Sequence, residues 1–423
     1  MIKKILFILI LFNYDTCYSQ ELIPIQIDSL WGFCSNNKEI IIPAIYKKVR
    51  PFIYGYAHVK KDSVWSIINK KNESVFKQYQ KVDDFHDGIA KVYINSKTGF
   101  VDKEGKELFP LEPNIDFSAI RWERLWYKEN GKFGLMDVKG TKLTIPKYDG
   151  YITYGERGFY VVTLNNKKGV INENGKEIIP LIYNHIGQGF YNNLCDVERD
   201  SMFGFVNRQG KEVIALNFEY VWIFVDGIAV AKKHGKYGLI DTLGNTVVPF
   251  LYDYAMDWCQ MNRLGVKKKN KWGFIDRYNN VKIPFKYDYV NNFEPNGLSI
   301  CSTGGLRYSL IDTNGVKITK SKYRGMQGIY NTDLFIVRLK DKYGVINKFG
   351  DILIPIKYEE INQIGEGCIL AKFNGKYGFF DKSGKKIIDF KYDYANDFKD
   401  GLSDVWIENC EFYINKDGFE FKY

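Results

Sequence analysis

Residues 235–252 read Gly-Lys-Tyr-Gly-Leu-Ile-Asp-Thr-Leu-Gly-Asn-Thr-Val-Val-Pro-Phe-Leu-Tyr, and the fold is decided by how often this stretch returns. With Gly238 as an anchor, equivalent positions fall at Gly32, Ser66, Gly99, Gly134, Gly169, Gly204, Gly273, Ser309, Gly344, Gly378 and Phe412, at intervals of 33 to 36 residues. Self-similarity at such a period marks a tandem array of one supersecondary unit. The residue before the anchor is aromatic in nine copies, among them Trp31, Phe133, Phe203, Tyr237, Trp272 and Tyr377. Three residues after the anchor stands Asp or Asn in eleven copies, and six after it Gly in nine, with Asn72 and Asn279 in two more. Fourteen after it stands Tyr in eight copies, preceded by Pro at Pro43, Pro180, Pro249, Pro284 and Pro355.

Each position has a physical reason. Asp-x-x-Gly between apolar runs is a turn: the Asx side chain accepts from turn amides, and Gly supplies a positive φ that other residues resist. Asn tolerates that conformation next best, so Asn is what replaces Gly. A second turn lies upstream, at Asn130-Gly131, His234-Gly235 and Asn374-Gly375, a strong signal for a short hairpin. Pro lacks a ladder donor and belongs at a strand end or edge. The unit therefore reads strand, tight turn, strand, Asx-Gly turn, strand, then a looser segment containing Tyr. No stretch after the N-terminus reads as a long amphipathic helix.

Lys271-Trp272-Gly273-Phe274-Ile275-Asp276, followed by Ile283-Pro284 and Tyr287-Asp288, resembles the WG-repeat (KWG-repeat) family of bacterial exported proteins. The resemblance runs over everything after about residue 29, with Tyr or Phe often in place of the hallmark Trp and the anchor Gly lost at Ser66, Ser309 and Phe412. It implies exported or envelope-associated repeat proteins, mostly without an assigned activity. The expected fold is all-β: about twelve three-stranded antiparallel meanders in an open, superhelical stack, the last one truncated. Two consecutive six-bladed propellers are the alternative, because twelve units exceed the four to eight blades usual for one ring.

The N-terminus reads as a secretory signal. Lys3 and Lys4 precede an apolar run, Ile5 to Phe12, that is too short for a bilayer span of roughly 20 residues. Cys17-Tyr18-Ser19 places the cut before Gln20. The expected organisation is residues 1–19 signal, 20–28 leader and 29–423 repeat array. That places the protein in the periplasm or outside the cell, in peripheral association with the envelope and with no transmembrane segment. Aromatic content of 16% suits strands. The formal charge of +10, less Lys3 and Lys4, is mild for this length and does not point to nucleic acid. Six cysteines remain, Cys34, Cys195, Cys259, Cys301, Cys368 and Cys410. Their irregular spacing favours buried thiols over a disulfide ladder, and no CxxC pair suggests zinc.

No catalytic constellation emerges, and no cofactor or metal is expected. His58, His86, His185 and His234 lie in different repeats. Gly187-Gln188-Gly189 and Gly365-Glu366-Gly367 lack the third Gly and the helix of a dinucleotide site. The repeated Asx offers one oxygen donor per turn where calcium needs six to eight, so turn capping is the reading adopted. Asp83 and Asp84, adjacent on a strand, point to opposite faces and read as surface charge. Two features could bind. The residue two before the anchor is basic at Lys97, Lys132, Lys167, Lys236, Lys271, Arg307, Lys342 and Lys376, a row that could attract an anionic glycan or an acidic protein, or simply keep the turns soluble. The in-register aromatics read as core between repeats, whereas Trp122, Trp126, Trp222, Trp258 and Trp406 fall outside the register and are better candidates for a specific surface. The expectation is a non-catalytic interaction scaffold. An enzyme or inhibitor with a site in the irregular segments 111–128 or 295–308, or a structural spacer, is the alternative.

Overall fold

Ile228–Lys233 opens with four successive apolar residues, Lys236–Asp241 carries Leu239 and Ile240 side by side, and only His234 and Gly235 separate the two strands. Both turn residues have positive φ, +52° and +72°, the geometry that matches the twist of a two-residue hairpin. At the other end of the second strand, Asp241 Oδ1 accepts from the amides of Leu243 and Asn245 at 2.9 and 2.8 Å. Gly244, at φ +85°, completes that turn. The same pair of contacts to an Asx oxygen recurs at Asp102, Asp137, Asn172, Asn207, Asp276, Asp312, Asn347 and Asn415. The turn-capping reading of these residues holds.

The chain then runs back as Thr246–Tyr252, and its register against the preceding strand skips. Tyr252 faces Tyr237 and Val248 faces Leu239, so residues 249–251 bulge outward. Pro249 sits in that bulge, where no ladder donor is needed. The bulge brings the Val248 carbonyl over Gly238, where a Cβ would lie 2.5 Å from its oxygen. The anchor glycine is thus required by a crossing backbone. The seven copies with this full seven-residue strand, such as Ile40–Tyr46, Val281–Tyr287 and Lys386–Tyr392, all have Gly at the anchor. The three copies without Gly do not form it: Ser66 has only Ser74–Val75, Phe412 only Glu420–Phe421, and Ser309 only isolated bridges. Around Gly134 the Tyr127 ring takes the space, and Thr144 Oγ1 accepts from Leu135 N instead.

The computed structural model describes residues 22–422 except 63, 77–78, 84, 86–87, 96, 109–111, 114–115, 155, 257–261, 306, 321, 330–331 and 363–364. The segment read as a signal and Cys259 lie outside the described residues. Among the described residues twelve small antiparallel sheets follow one another, nine with four strands and three with three, and no strand ladder closes into a barrel. The fourth strand is an addition to the expected meander. The looser segment after the Tyr contributes a short strand, as in Tyr220–Val221 and Tyr254–Ala255, that pairs with the next sheet. Ile23–Ile27, read as leader, is the opening strand of the first sheet.

Each sheet is apolar on both faces. In the strand Lys236–Asp241, Leu239 enters a core shared with the following sheet and Ile240 a core shared with the preceding one, as the pleat dictates. Every consecutive pair of sheets shares such a core, and a twelfth joins the last sheet to the first: Leu402 and Phe421 pack on Ile23, Ile25 and Cys34. Trp31 lies edge-on to Tyr413 at 5.7 Å, Gln26 bridges Lys422, and Cys410 Sγ contacts Gln26 Oε1 at 3.2 Å. The sequence left the two ends of the stack apart, with two propellers as the alternative. In the structure the array makes one circuit whose ends meet, with sheets six and seven packed like any other pair. Cys34, Cys195, Cys301 and Cys368 are buried free thiols in these cores, and burial pushes the Cys34 thiol up to about 11.

Two outcomes test this architecture. Gly273→Ser, which installs the residue found at positions 66 and 309, should cost about 1–3 kcal/mol, typical of overpacking. It should also release Val281–Tyr287, read as faster amide exchange there; unchanged protection would refute the crossing-backbone account. In the second, a short thiol cross-linker added to Gln26→Cys should join it to native Cys410. Failure to link the folded protein would mean that the ends do not meet.

Candidate functional site

The basic row is in place, but it is not free charge. Lys236 Nζ pairs with Asp253, the residue after the Tyr of its own repeat, at 2.5 Å. Asp253 Oδ2 also accepts from Lys269 N at 2.7 Å, inside the tight turn of the next sheet. One carboxylate thus ties a lysine of one sheet to the hairpin of its neighbour. The same staple joins Lys132, Asp149 and Asn165 N; Lys271, Asp288 and Gly304 N; and Lys376, Asp393 and Glu408 N. Lys342 stands 3.9 Å from Glu359, which caps Asn374 N and Gly375 N, and Lys167 bonds the Asn184 amide at 3.2 Å. The lysine contact holds the carboxyls of Asp149, Asp253, Asp288 and Asp393 below the usual range, with the turn amide adding to it. For Lys97 the corresponding residue, Asn114, lies outside the described residues. For Arg307 it is Arg324.

A second row runs beside the first. In three copies the aromatic before the anchor meets the aromatic that opens the next sheet's short strand: Phe203 with Tyr220, Tyr237 with Tyr254 and Tyr377 with Tyr394. Ring centroids step from Phe203 to Tyr220 to Tyr237 to Tyr254 to Trp272 at 6.3, 6.2, 5.1 and 5.6 Å. Further segments pair Tyr289 with Tyr308 and run Tyr377, Tyr394, Trp406. The sequence placed the aromatics before the anchors in the core. Trp31 and Tyr377 are buried, whereas Phe133, Phe203, Tyr237, Trp272, Tyr308 and Tyr343 are half-buried and their partners Tyr254, Tyr289 and Tyr394 are exposed. The partners went unremarked in the sequence because only one strand's pairing puts them beside the anchor ring; their signal is an aromatic two residues after the register Tyr.

Of the tryptophans outside the register, Trp126 is buried and stacks on Tyr151 at 4.1 Å, while Trp222 is exposed. Trp406 lines an open groove of about 560 Å³ with Asp393, Tyr394, Asn396, Glu408 and Asn409. Trp258 lies outside the described residues. A second cavity, about 300 Å³, sits where the circuit meets, between Arg50, His58 and Phe85 on one side and Asp404 and Tyr413 on the other. Burial and the nearby Asp404 carboxylate push the Tyr413 hydroxyl up to about 12. His185 Nε2 lies 3.2 Å from the buried Asp196 carboxylate, a contact that their separation in sequence hid. His234 is the turn residue it was read as. Asp83 pairs with Lys81 at 2.7 Å and accepts from the Tyr93 hydroxyl. Among the described residues no three His, Cys, Asp or Glu side chains come together as a metal site would require, and no helix is long and apolar enough to cross a membrane.

These features define a tandem-repeat β protein whose sheets share their cores and are laced together by a charged staple. A family model described as WG containing repeat matches eight stretches, residues 31–65, 65–97, 169–201, 203–237, 237–272, 272–306, 343–377 and 377–405. The chain belongs to the WG-repeat family. No curated protein matches it. Among solved structures it is similar to a eukaryotic initiation factor, at 11% identity and TM-score 0.41 over 71% of this chain and 95% of that one. It is also similar to BamB from Moraxella catarrhalis, at 12% identity and TM-score 0.27 over 72% of this chain and 91% of that one. A third is an extracellular domain described as that of a hybrid two component system from B. thetaiotaomicron, at 10% identity and TM-score 0.23 over 93% and 69%.

The staple predicts an acid limit to stability. The carboxyls of Asp149, Asp253, Asp288 and Asp393 titrate lower in the folded chain than unfolded, so their contribution is present above the unfolded value near 4 and lost as pH falls through the folded value. Melting temperature should drop below about pH 4. Asp253→Asn, which copies Asn184, should lower it less than Asp253→Ala at pH 7, since the amide keeps an acceptor for the turn. Equal melting of the two variants would show that the turn contact contributes nothing.

Proposed function

We propose that this chain is a non-catalytic interaction scaffold at the bacterial envelope or outside the cell, and that its contact face is the aromatic row. The observation that carries the reading is the succession of half-buried and exposed rings at two per sheet from Phe203 to Trp272. A row repeated in register offers equivalent contacts to a long or repetitive partner, which is how repeat arrays bind. Exposed Tyr and Trp supply large, rigid contact area with a polar edge. Lysines lie over some of the same rings, Lys232 at 5.7 Å from Tyr237 and Lys372 at 5.0 Å from Tyr377. The stapled lysines are compensated by carboxylates, so the row as a whole is not the general anion-attracting strip that the sequence alone suggested. Export rests on the signal-like residues 1–19.

The test is co-sedimentation of the purified protein with envelope fractions of its own cells at low and high salt. Retention should largely survive high salt and fall severalfold in the triple variant Tyr254→Ala, Tyr289→Ala, Tyr394→Ala with folding intact by circular dichroism. Absence of retention at either salt, or full retention of the triple variant, would overturn the reading.

A further inference from the structure

At one place in the circuit the chemistry of the staple is inverted. The residue two before the anchor is Arg307, and the residue where the stapled copies carry Asp, Glu or Asn is Arg324. The bridge between Tyr308 and Tyr323, with Tyr308 N bonded to Tyr323 O at 2.9 Å, sets these two arginines opposite each other on adjoining backbones. An arginine therefore stands where the stapled copies carry the carboxylate, and a second arginine faces it where they carry the lysine. In the first copy the acid is also replaced, by Lys47, but Leu30 faces it, so no like charges meet there.

The receptor for the missing carboxylate is otherwise complete. In the stapled copies the second carboxylate oxygen accepts from the amide 16 residues on, as Asp253 does from Lys269 N. The counterpart here is Lys340 N, in a turn residue at φ +54°. Arg338, in the strand beside Arg324, has its Nε buried with no hydrogen-bond partner, and it passes within 3.5 Å of where a Cβ on Gly325 would stand. Among the described residues no carboxylate forms an ion pair with Arg307, Arg324 or Arg338. Planar forked donors with a backbone amide form a carboxylate receptor, and arginine serves it better than lysine.

We propose that Arg307, Arg324 and Lys340 N form a carboxylate site that takes a uronic acid unit of an acidic polysaccharide, the sugar carboxylate standing where other copies hold their own Asp. The saccharide is favoured over an acidic peptide by the neighbouring rings: Tyr308 follows Arg307 directly, lies edge-on to Tyr289 at 5.8 Å, and Tyr289 is exposed, giving a pyranose face a surface to stack on. The site rests on the scaffold reading above and narrows it to one ligand class.

The experiment is calorimetric titration of the full protein with an oligogalacturonate hexamer and with poly-glutamate, beside melting curves of the same samples. The hexamer should bind saturably, weaken with salt and raise the melting temperature. Arg324→Asp should raise the melting temperature without ligand, because it rebuilds the staple with Arg307 and Lys340 N. It should also weaken the hexamer by at least about tenfold, the scale of losing a charge-assisted contact. Arg324→Ala should lose binding without the gain in stability. No hexamer binding, binding equal in Arg324→Asp, or no stabilisation in that variant would overturn the site, and tighter binding of poly-glutamate would overturn the saccharide assignment. Envelope retention that persists while the hexamer fails to bind would leave the scaffold standing and remove this site alone.

Discussion

Every sheet in this protein is apolar on both faces, and the rest of the structure follows from that constraint. A strand of alternating inward residues normally turns polar on one side. Here Leu239 and Ile240, one residue apart, both demand burial, so each sheet needs a neighbour on either side. A fully buried residue of this size contributes about 1.5–3 kcal/mol relative to exposure, and each interface holds several. An array with such sheets at its ends would leave two apolar faces in water. The structure removes that cost by bringing Leu402 and Phe421 onto Ile23 and Ile25, so that the end faces cover each other. Polar capping repeats are the usual alternative in repeat arrays.

Around those cores the polar groups act as lacing. The Asx turn satisfies amides within a sheet, and the Lys–Asp–amide staple satisfies them between sheets. The register Tyr does so at two further points: Tyr46 and Tyr252 each donate to the side chain that replaces the turn glycine of the next sheet, Asn72 and Asn279, at 2.6 Å. Where a glycine gives way, its substitute finds a partner from the neighbour. The chain therefore contains its own controls, since eleven further copies show what a position ordinarily does. Arg324 stands out by that comparison, as does Trp406, which takes the cross-strand place that Lys232, Lys267 and Lys372 hold elsewhere.

Position along the circuit separates what must be uniform from what is free to vary. Buried anchors are held by backbone crossings and turn positions by φ, and the anchor loses its glycine only where the seven-residue strand is not formed, as at Ser66 and Ser309. The ring row and the lysine row lie at the surface and vary more. Their variation, from Tyr to Trp and from Lys to Arg, makes local differences on a regular frame without disturbing the cores.

The sequence by itself determined the unit. The spacing of Gly, Asx, Pro and Tyr fixes two turns and three strands, because φ, amide capping and ladder donors are local requirements that each residue type meets or fails. It also showed the number of units and the family. What it did not determine was every relation between residues of different sheets. The short added strand is two to four residues long, as in Tyr220–Val221 and Gly150–Thr153, and has no periodicity to read. The lysine row looked like free charge because its partners sit 17 residues away, beyond any turn. The aromatics before the anchors looked like core because their exposed neighbours come from the following repeat. Closure of the circuit depends on small rotations between sheets that accumulate over twelve interfaces, and no single interval of the repeat contains that sum.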